Sequence, residues 1–141
     1  MAYDNCEPLV VYLLEITVER EDRHEAGDGP MDRVVGAAMF GNEDGEHVGT
    51  AYFYQERMPL PALDGSDPPT MFITDAHYVF PSGTITVTGA NPVMDLPSLP
   101  QQTHAYTIAG GTGVFAGARG ELVAETLEDG RRRQMLNLDC D

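Results

Sequence analysis

The chain contains no lysine; its eight basic residues are all arginine. Schiff-base chemistry is therefore excluded unless the N-terminal amine supplies it. A phosphate loop, which needs Lys followed by Ser or Thr, is excluded on the same ground. Positive charge is scarce altogether: the formal net charge is −15. Nucleic acid and anionic membrane surfaces both require a basic face, so neither is an expected partner. The charge instead solubilises the exterior. There is no basic segment followed by an apolar run at the N-terminus, where Asp4 and Glu7 stand, and no stretch long enough to span a membrane. A cytoplasmic location is expected. Cysteine is limited to Cys6 and Cys140, which remain thiols in a reducing compartment. No Cys/His spacing fits a metal site, so no metal is expected.

Helix signals are nearly absent as well. What recurs is a run rich in Val, Ile, Thr, Tyr and Phe closed by Gly, Pro, Asp or Asn, the pattern of antiparallel strands. The runs are Leu9–Arg20, Arg33–Phe40, His47–Met58, Thr70–Phe80, Thr84–Thr88, His104–Ala109, Glu121–Glu128 and Arg131–Leu138. Asp44-Gly45, Pro81-Ser82-Gly83 and Asp129-Gly130 mark tight turns. Glu21–Asp32, Pro59–Pro69 and Asn91–Gln102 are long connections, the first and last of them candidates for lids. With 141 residues and 42% apolar composition, the chain suits one domain spanning residues 1–141 with a real core. Eight short strands joined by hairpins suggest an all-β, eight-stranded antiparallel up-and-down barrel with an internal apolar cavity, because closure removes exposed edges. Closure sets the first strand antiparallel to the last, which brings Cys6 near Cys140.

The stretch from Gly110 to Gly120 holds five glycines in GGTGVFAGARG. It reads as a bulge that kinks a barrel strand, since the βαβ context of a dinucleotide site is missing. This stretch resembles the signature of the allene oxide cyclase and dirigent barrel superfamily. Gly83-Thr84-Ile85-Thr86-Val87-Thr88-Gly89 resembles the strand before the long connection in those proteins, Glu15-Ile16-Thr17 with Glu19 and Arg20 their first strand, and Val48-Gly49-Thr50-Ala51 their third. The similarity runs from about Leu9 to Glu125 and is dense from Gly83 to Gly120. It implies an eight-stranded barrel with an apolar cavity, a homodimer or homotrimer, and no cofactor. Superfamily members include oxylipin cyclases, proteins that steer radical coupling, and bacterial polyketide cyclases, among them [4+2] cyclases.

Alternate residues of a barrel strand face inward, and the resemblance sets a phase. It places Leu13, Glu15 and Thr17 inward, followed by Val35, Ala37 and Met39. On later strands it places Tyr52 and Tyr54 inward, then Met71, Ile73, Asp75, His77 and Val79. Ile85 and Val87 follow, with Asn91 near the rim and Tyr106 on the sixth strand. Periodicity alone favours a different face of the fourth strand, Phe72, Thr74, Ala76, Tyr78 and Phe80, which would leave Asp75 and His77 in water. Both readings stand at this point. The first strand is apolar on both sides, which suggests that a subunit interface covers it.

Glu15 interrupts an apolar run. Buried in a cavity, it would have a raised pKa and act as a donor or proton shuttle; at an edge it would pair with an arginine. Tyr52 and Tyr54 could bind a carbonyl or merely line the wall. Arg131-Arg132-Arg133 reads as a surface counterweight to the acidic charge. Where the plant cyclases hold a water with two asparagines, this chain has Thr17 and Ala37. No Ser-Pro pair follows, and Tyr54 stands for a cavity cysteine. The oxide-opening apparatus is not reproduced.

The expectation is a cofactor-free cyclase that folds a linear, apolar, polyene polyketide-like substrate and closes a ring, by intramolecular [4+2] cycloaddition. Glu15, or Asp75 with His77, would instead support an acid–base cyclisation of an oxide or enone. A dirigent-like protein or apolar-ligand carrier is the non-catalytic alternative.

Overall fold

A computed structural model describes residues 8–21, 33–59, 70–92 and 103–139; within it, the side chains of residues 20, 21, 57–59, 70–72, 90–92, 103 and 104 are not described. Eight strands run in chain order: β1 (Leu9–Glu21), β2 (Arg33–Gly41), β3 (His47–Pro59), β4 (Thr70–Phe80), β5 (Gly83–Pro92), β6 (Thr103–Gly113), β7 (Gly120–Thr126) and β8 (Arg132–Leu138). Each pairs antiparallel with the next, and β1 pairs with β8, so the sheet closes into a barrel. Among the described residues no helix is long and apolar enough to cross a membrane. Cys6 and Cys140 lie outside the described residues.

The core follows from one face of each strand. Val11, Ala38, Phe40, Ala51, Ala76, Tyr78, Ile85, Val87, Ile108, Leu122, Leu136 and Leu138 are buried together. Cross-strand partners share a face, so the register carries this phase round the barrel. Tyr78 is opposite Ile85, Val87 opposite Ile108, and Leu122 opposite Leu136.

The register shifts at three places among the described residues, one of them opposite Val48 between Phe40 and Gly41, and the other two shape the wall. In β1 the register shifts between Leu13 and Glu15, so Leu13 pairs with inward Phe40 whereas Glu15 pairs with Met39 and Ile16 with inward Ala38. The extra residue, Leu14, reverses the alternation. This bulge explains part of the two-sided apolar pattern of β1: Leu9, Val11 and Leu13 take the inner phase before it, and by register Ile16 and Val18 take it after, although both stay exposed beside the open seam. In β6 the shift falls opposite Thr86 and Val87, at Ala109, beside the first glycine of the glycine-rich stretch. The expected bulge is present, one residue before that stretch. Beyond it, Gly120 adopts φ +143°, and a Cβ there would lie 2.0 Å from the Asn137 carbonyl oxygen; no other residue fits.

One end of the barrel is sealed. Phe115 and Ala118, in the turn between β6 and β7, are buried, and Asp139 donates its amide to the Arg119 carbonyl oxygen. Ring centroids of Phe115 and Phe80 lie 5.7 Å apart, and those of Phe40 and Tyr78 lie 5.5 Å apart. The short β2–β3 and β4–β5 turns are at this end. The connections of residues 22–32, 60–69 and 93–102 all leave from the other.

Candidate functional site

The inner face is apolar apart from a few polar side chains. Tyr78, on β4, is 6% exposed. Its hydroxyl donates a short hydrogen bond to Oε1 of Gln134, on β8. Thr74, two residues earlier on the same face, is buried and accepts from Nε2 of Gln55 at 3.2 Å. Tyr106 faces in from β6. Its ring occupies the space above Gly89, where a Cβ would lie 2.6 Å from the tyrosine Cδ1. The same device recurs twice: Phe53 fills the space above Gly36 and Phe80 that above Gly49. A glycine on one strand thus receives an aromatic ring from its neighbour.

Desolvation sets the protonation of both inner phenols. Burial pushes Tyr78 well above the ordinary tyrosine value; the hydrogen bond to Gln134 opposes this, and Tyr106 adds slightly to it. Burial likewise raises Tyr106. Both stay neutral donors at physiological pH. Among the described residues no group of three His, Cys, Asp or Glu side chains could hold a metal.

The register corrects the inward phase expected for most candidate residues. Glu15 follows the Leu14 bulge and is exposed on the outer side, as are Thr17 and Glu19. Val35, Ala37 and Met39 alternate with inward Val34, Gly36, Ala38 and Phe40, so they also face out. Tyr52 is 55% exposed on the outer face. Tyr54 is outside too and donates to Glu56 Oε2 at 2.8 Å, beneath the Arg33 guanidinium 5.5 Å from its ring centroid. Ile73, Asp75, His77 and Val79 occupy the outer positions of β4, because Thr74, Ala76 and Tyr78 are buried. His77 Nδ1 lies 3.1 Å from the Thr86 hydroxyl, in solvent. Leu13, Ile85, Val87 and Tyr106 face in. The side chains of Met71 and Asn91 lie outside the described residues.

Tyr78 and Thr74 belong to the face that periodicity favoured on β4. Gln55 and Gln134 carried no signal, being isolated amides in mixed surroundings.

Pairing of β1 with β8 ends at Tyr12 and Arg133, whereas β1 continues to Glu21 against β2 alone. The seam opens into a cleft of about 450 Å³ lined by Leu13, Leu14, Glu15, Ile16 and Asp129 to Arg132. The arginine triplet divides here. Arg131 binds Asp129 through Nε at 2.7 Å and lies 5.0 Å from the Tyr12 ring centroid. Arg133 pairs with Glu125 on the outside. Arg132 shares the inner face with Gln134 and Leu136.

No protein-family model and no curated protein matches the chain. Solved structures do. A pyocyanin demethylase superposes with a TM-score of 0.72 at 17% identity, covering 94% of this chain and 99% of its own. The Diels-Alderase AbmU from Streptomyces koyangensis superposes with a TM-score of 0.71 at 19% identity, over 96% of this chain and 62% of that one. A cyclase described as nonspecifically heme-binding, which catalyses [4+2] cycloaddition in neoabyssomicin biosynthesis, gives 0.67 at 19%, over 92% and 60%. This chain thus spans about three-fifths of the two cyclase chains. The eight-stranded barrel of this chain is of the same type as that of the demethylase and the two [4+2] cyclases.

Proposed function

We propose that the chain is a cyclase that takes a linear apolar polyene into the barrel and closes a ring by intramolecular [4+2] cycloaddition. The observation that carries this reading is the neutral Tyr78–Gln134 pair on an apolar inner wall, above a floor sealed by Phe40, Phe80 and Phe115. Such a wall takes up a hydrocarbon chain and folds it, removing the rotational freedom that opposes ring closure.

In the cycloaddition four π electrons of a diene and two of a dienophile become two new σ bonds and one new π bond. No proton or electron is exchanged with the protein. What a protein can add is a hydrogen bond to a carbonyl conjugated with the dienophile, which lowers its acceptor orbital. Tyr78 donates to the Gln134 carbonyl and so polarises that amide, making its NH₂ group a better donor. The Tyr106 hydroxyl is a second neutral donor. A hydrogen bond that strengthens as charge builds on the carbonyl supplies roughly 1.5–3 kcal/mol, or about 10–100-fold in rate.

An acid–base cyclisation by Glu15, or by Asp75 and His77, has no geometric support, because all three face away from the interior. In the proposed reading the exposed outer side chains Val35, Met39, Tyr52 and Val79 meet another copy of the chain. Sedimentation analysis that finds only monomers removes that part alone.

The test is incubation of the purified protein with linear polyenes carrying an activated alkene. A product of unchanged mass and altered retention, lost in Tyr78→Phe/Gln134→Leu, is the expected result. Tight binding with return of unchanged polyene would make the protein a carrier; a product formed only with added oxidant would make it dirigent-like.

A further inference from the structure

We propose that Arg132 binds an anionic carboxylate head group of the molecule whose apolar chain enters the barrel. The proposal rests on the container reading above and names the class of molecule contained. Three observations carry it.

The first is orientation. Arg132 pairs with Thr126, Gln134 with Ala124 and Leu136 with Leu122, and Leu122 and Leu136 are fully buried. Positions 132, 134 and 136 therefore share the inner face, with Arg132 nearest the end from which the long connections leave. The second is its lack of a partner. Among the described residues Arg33 engages Glu56 and Tyr54, Arg119 donates to two backbone carbonyls, Arg131 engages Asp129, and Arg133 engages Glu125. Arg132 is exposed and has no such contact. Among the described arginines, Arg132 alone has neither a carboxylate nor a carbonyl partner, in a chain of net charge −15. The third is space: Arg132 forms part of the wall of the seam cleft, beside Leu13 and Ile16 of the inner face.

The two carboxylates of that cleft do not cancel the site. Asp129 accepts both the Arg131 amide at 3.0 Å and its Nε at 2.7 Å. Glu15 stands on the opposite, β1 side and outside the bulge, so it confines an anion to the β8 side. Two residues of strand separate Arg132 from Gln134, about 7 Å. A carboxylate held by Arg132 thus extends its conjugated chain past the Tyr78–Gln134 pair toward the floor.

The test uses cis-parinaric acid and its methyl ester, a fluorescent polyene with and without a negative charge. Both are titrated at pH 8 into the full chain and into Arg132→Gln and Arg132→Lys, and the acid-to-ester affinity ratio is read within each protein. The acid should bind the wild type about tenfold more tightly than the ester. The ratio should fall to near one in Arg132→Gln and persist in Arg132→Lys. Equal binding of acid and ester by the wild type, or a preference that survives Arg132→Gln, refutes the anion site while leaving the container intact. Failure of both forms to bind refutes both readings.

Discussion

Replacing Tyr78 by Phe removes one oxygen from the inner wall and leaves the Gln134 carbonyl without its donor. Tyr78 is 6% exposed, so its hydroxyl gives up nearly all of its water on folding. The hydrogen bond to Gln134 offsets that loss. A buried acceptor stripped of its partner costs about 1–3 kcal/mol, and Gln134 is only half-buried, so about 1.5 kcal/mol is expected. At a urea m-value of roughly 2 kcal/mol/M, that moves the midpoint by about 0.75 M. Gln134→Leu leaves the opposite orphan, the Tyr78 hydroxyl, in a more buried place, and should cost at least as much. In the double variant neither polar atom remains. Its cost should fall short of the sum of the single costs by about 1–2 kcal/mol, the signature of a contacting pair. Urea unfolding of the four proteins, followed by circular dichroism, measures this cycle. Additivity to within about 0.5 kcal/mol would mean that the two side chains do not interact, and the argument for a polarised amide would fall. If the coupling is present, the double variant separates stability from chemistry: it should fold well yet lose at least tenfold in ring closure, about 1.4 kcal/mol of transition-state binding.

Alkaline pH should report the same phenols. In the folded chain burial raises both Tyr78 and Tyr106, so above pH ~10 the unfolded chain loses these protons first and is favoured. Stability from these groups is present below pH ~10 and is lost as pH rises toward their folded values; urea midpoints should decline over that range and decline less in Tyr78→Phe. Gly89→Ala places a methyl 2.6 Å from Cδ1 of Tyr106 and should cost about 1–3 kcal/mol by overpacking. Pairing it with Tyr106→Val should restore much of that loss, and a full additive penalty would show that the ring does not occupy the space above Gly89. Leu136→Ala, at a fully buried site facing Leu122, should cost about 2–5 kcal/mol. On the outer face, Asp75→Asn should stay within about 0.5 kcal/mol of the wild type and leave ring closure unchanged. A large loss of turnover there would return the acid–base mechanism to consideration.

The number of strands and their closure were legible because turn chemistry is local. Asp44-Gly45, Ser82-Gly83 and Asp129-Gly130 each mark a reversal whatever surrounds them. The phase was not legible on most strands, for three physical reasons. The Leu14 bulge reverses the alternation within β1, so a reading anchored on Glu15 carries the wrong face onward. On β2 the outer residues Val35, Ala37 and Met39 are as apolar as inner Val34, Gly36, Ala38 and Phe40. On β2, β3 and β5, glycines 36, 49 and 89 stand at inner positions because a neighbouring ring fills their space. Glycine weakens the apolar count of the face that is in fact buried, so a strand read alone cannot reveal it.

The information needed to resolve the phase was nonetheless present in one strand. On β4, Phe72, Thr74, Ala76, Tyr78 and Phe80 form a clear apolar alternation against Asp75 and His77. Antiparallel register then transmits the face outward, from Ala76 to Phe53 on one side and from Tyr78 to Ile85 on the other. The same reasoning places the long connections. In an up-and-down barrel, the connections after odd-numbered strands all lie at one end. The three long ones, after β1, β3 and β5, satisfy that condition. The fourth connection at that end is the turn that leads into Arg132. The end that carries the long connections therefore coincides, for a topological reason, with Arg132, the inner-face arginine that has no partner among the described residues. Under the anion-site proposal, a ligand entering there meets positive charge before the apolar wall, and its acidic end stays at the rim while its chain folds below.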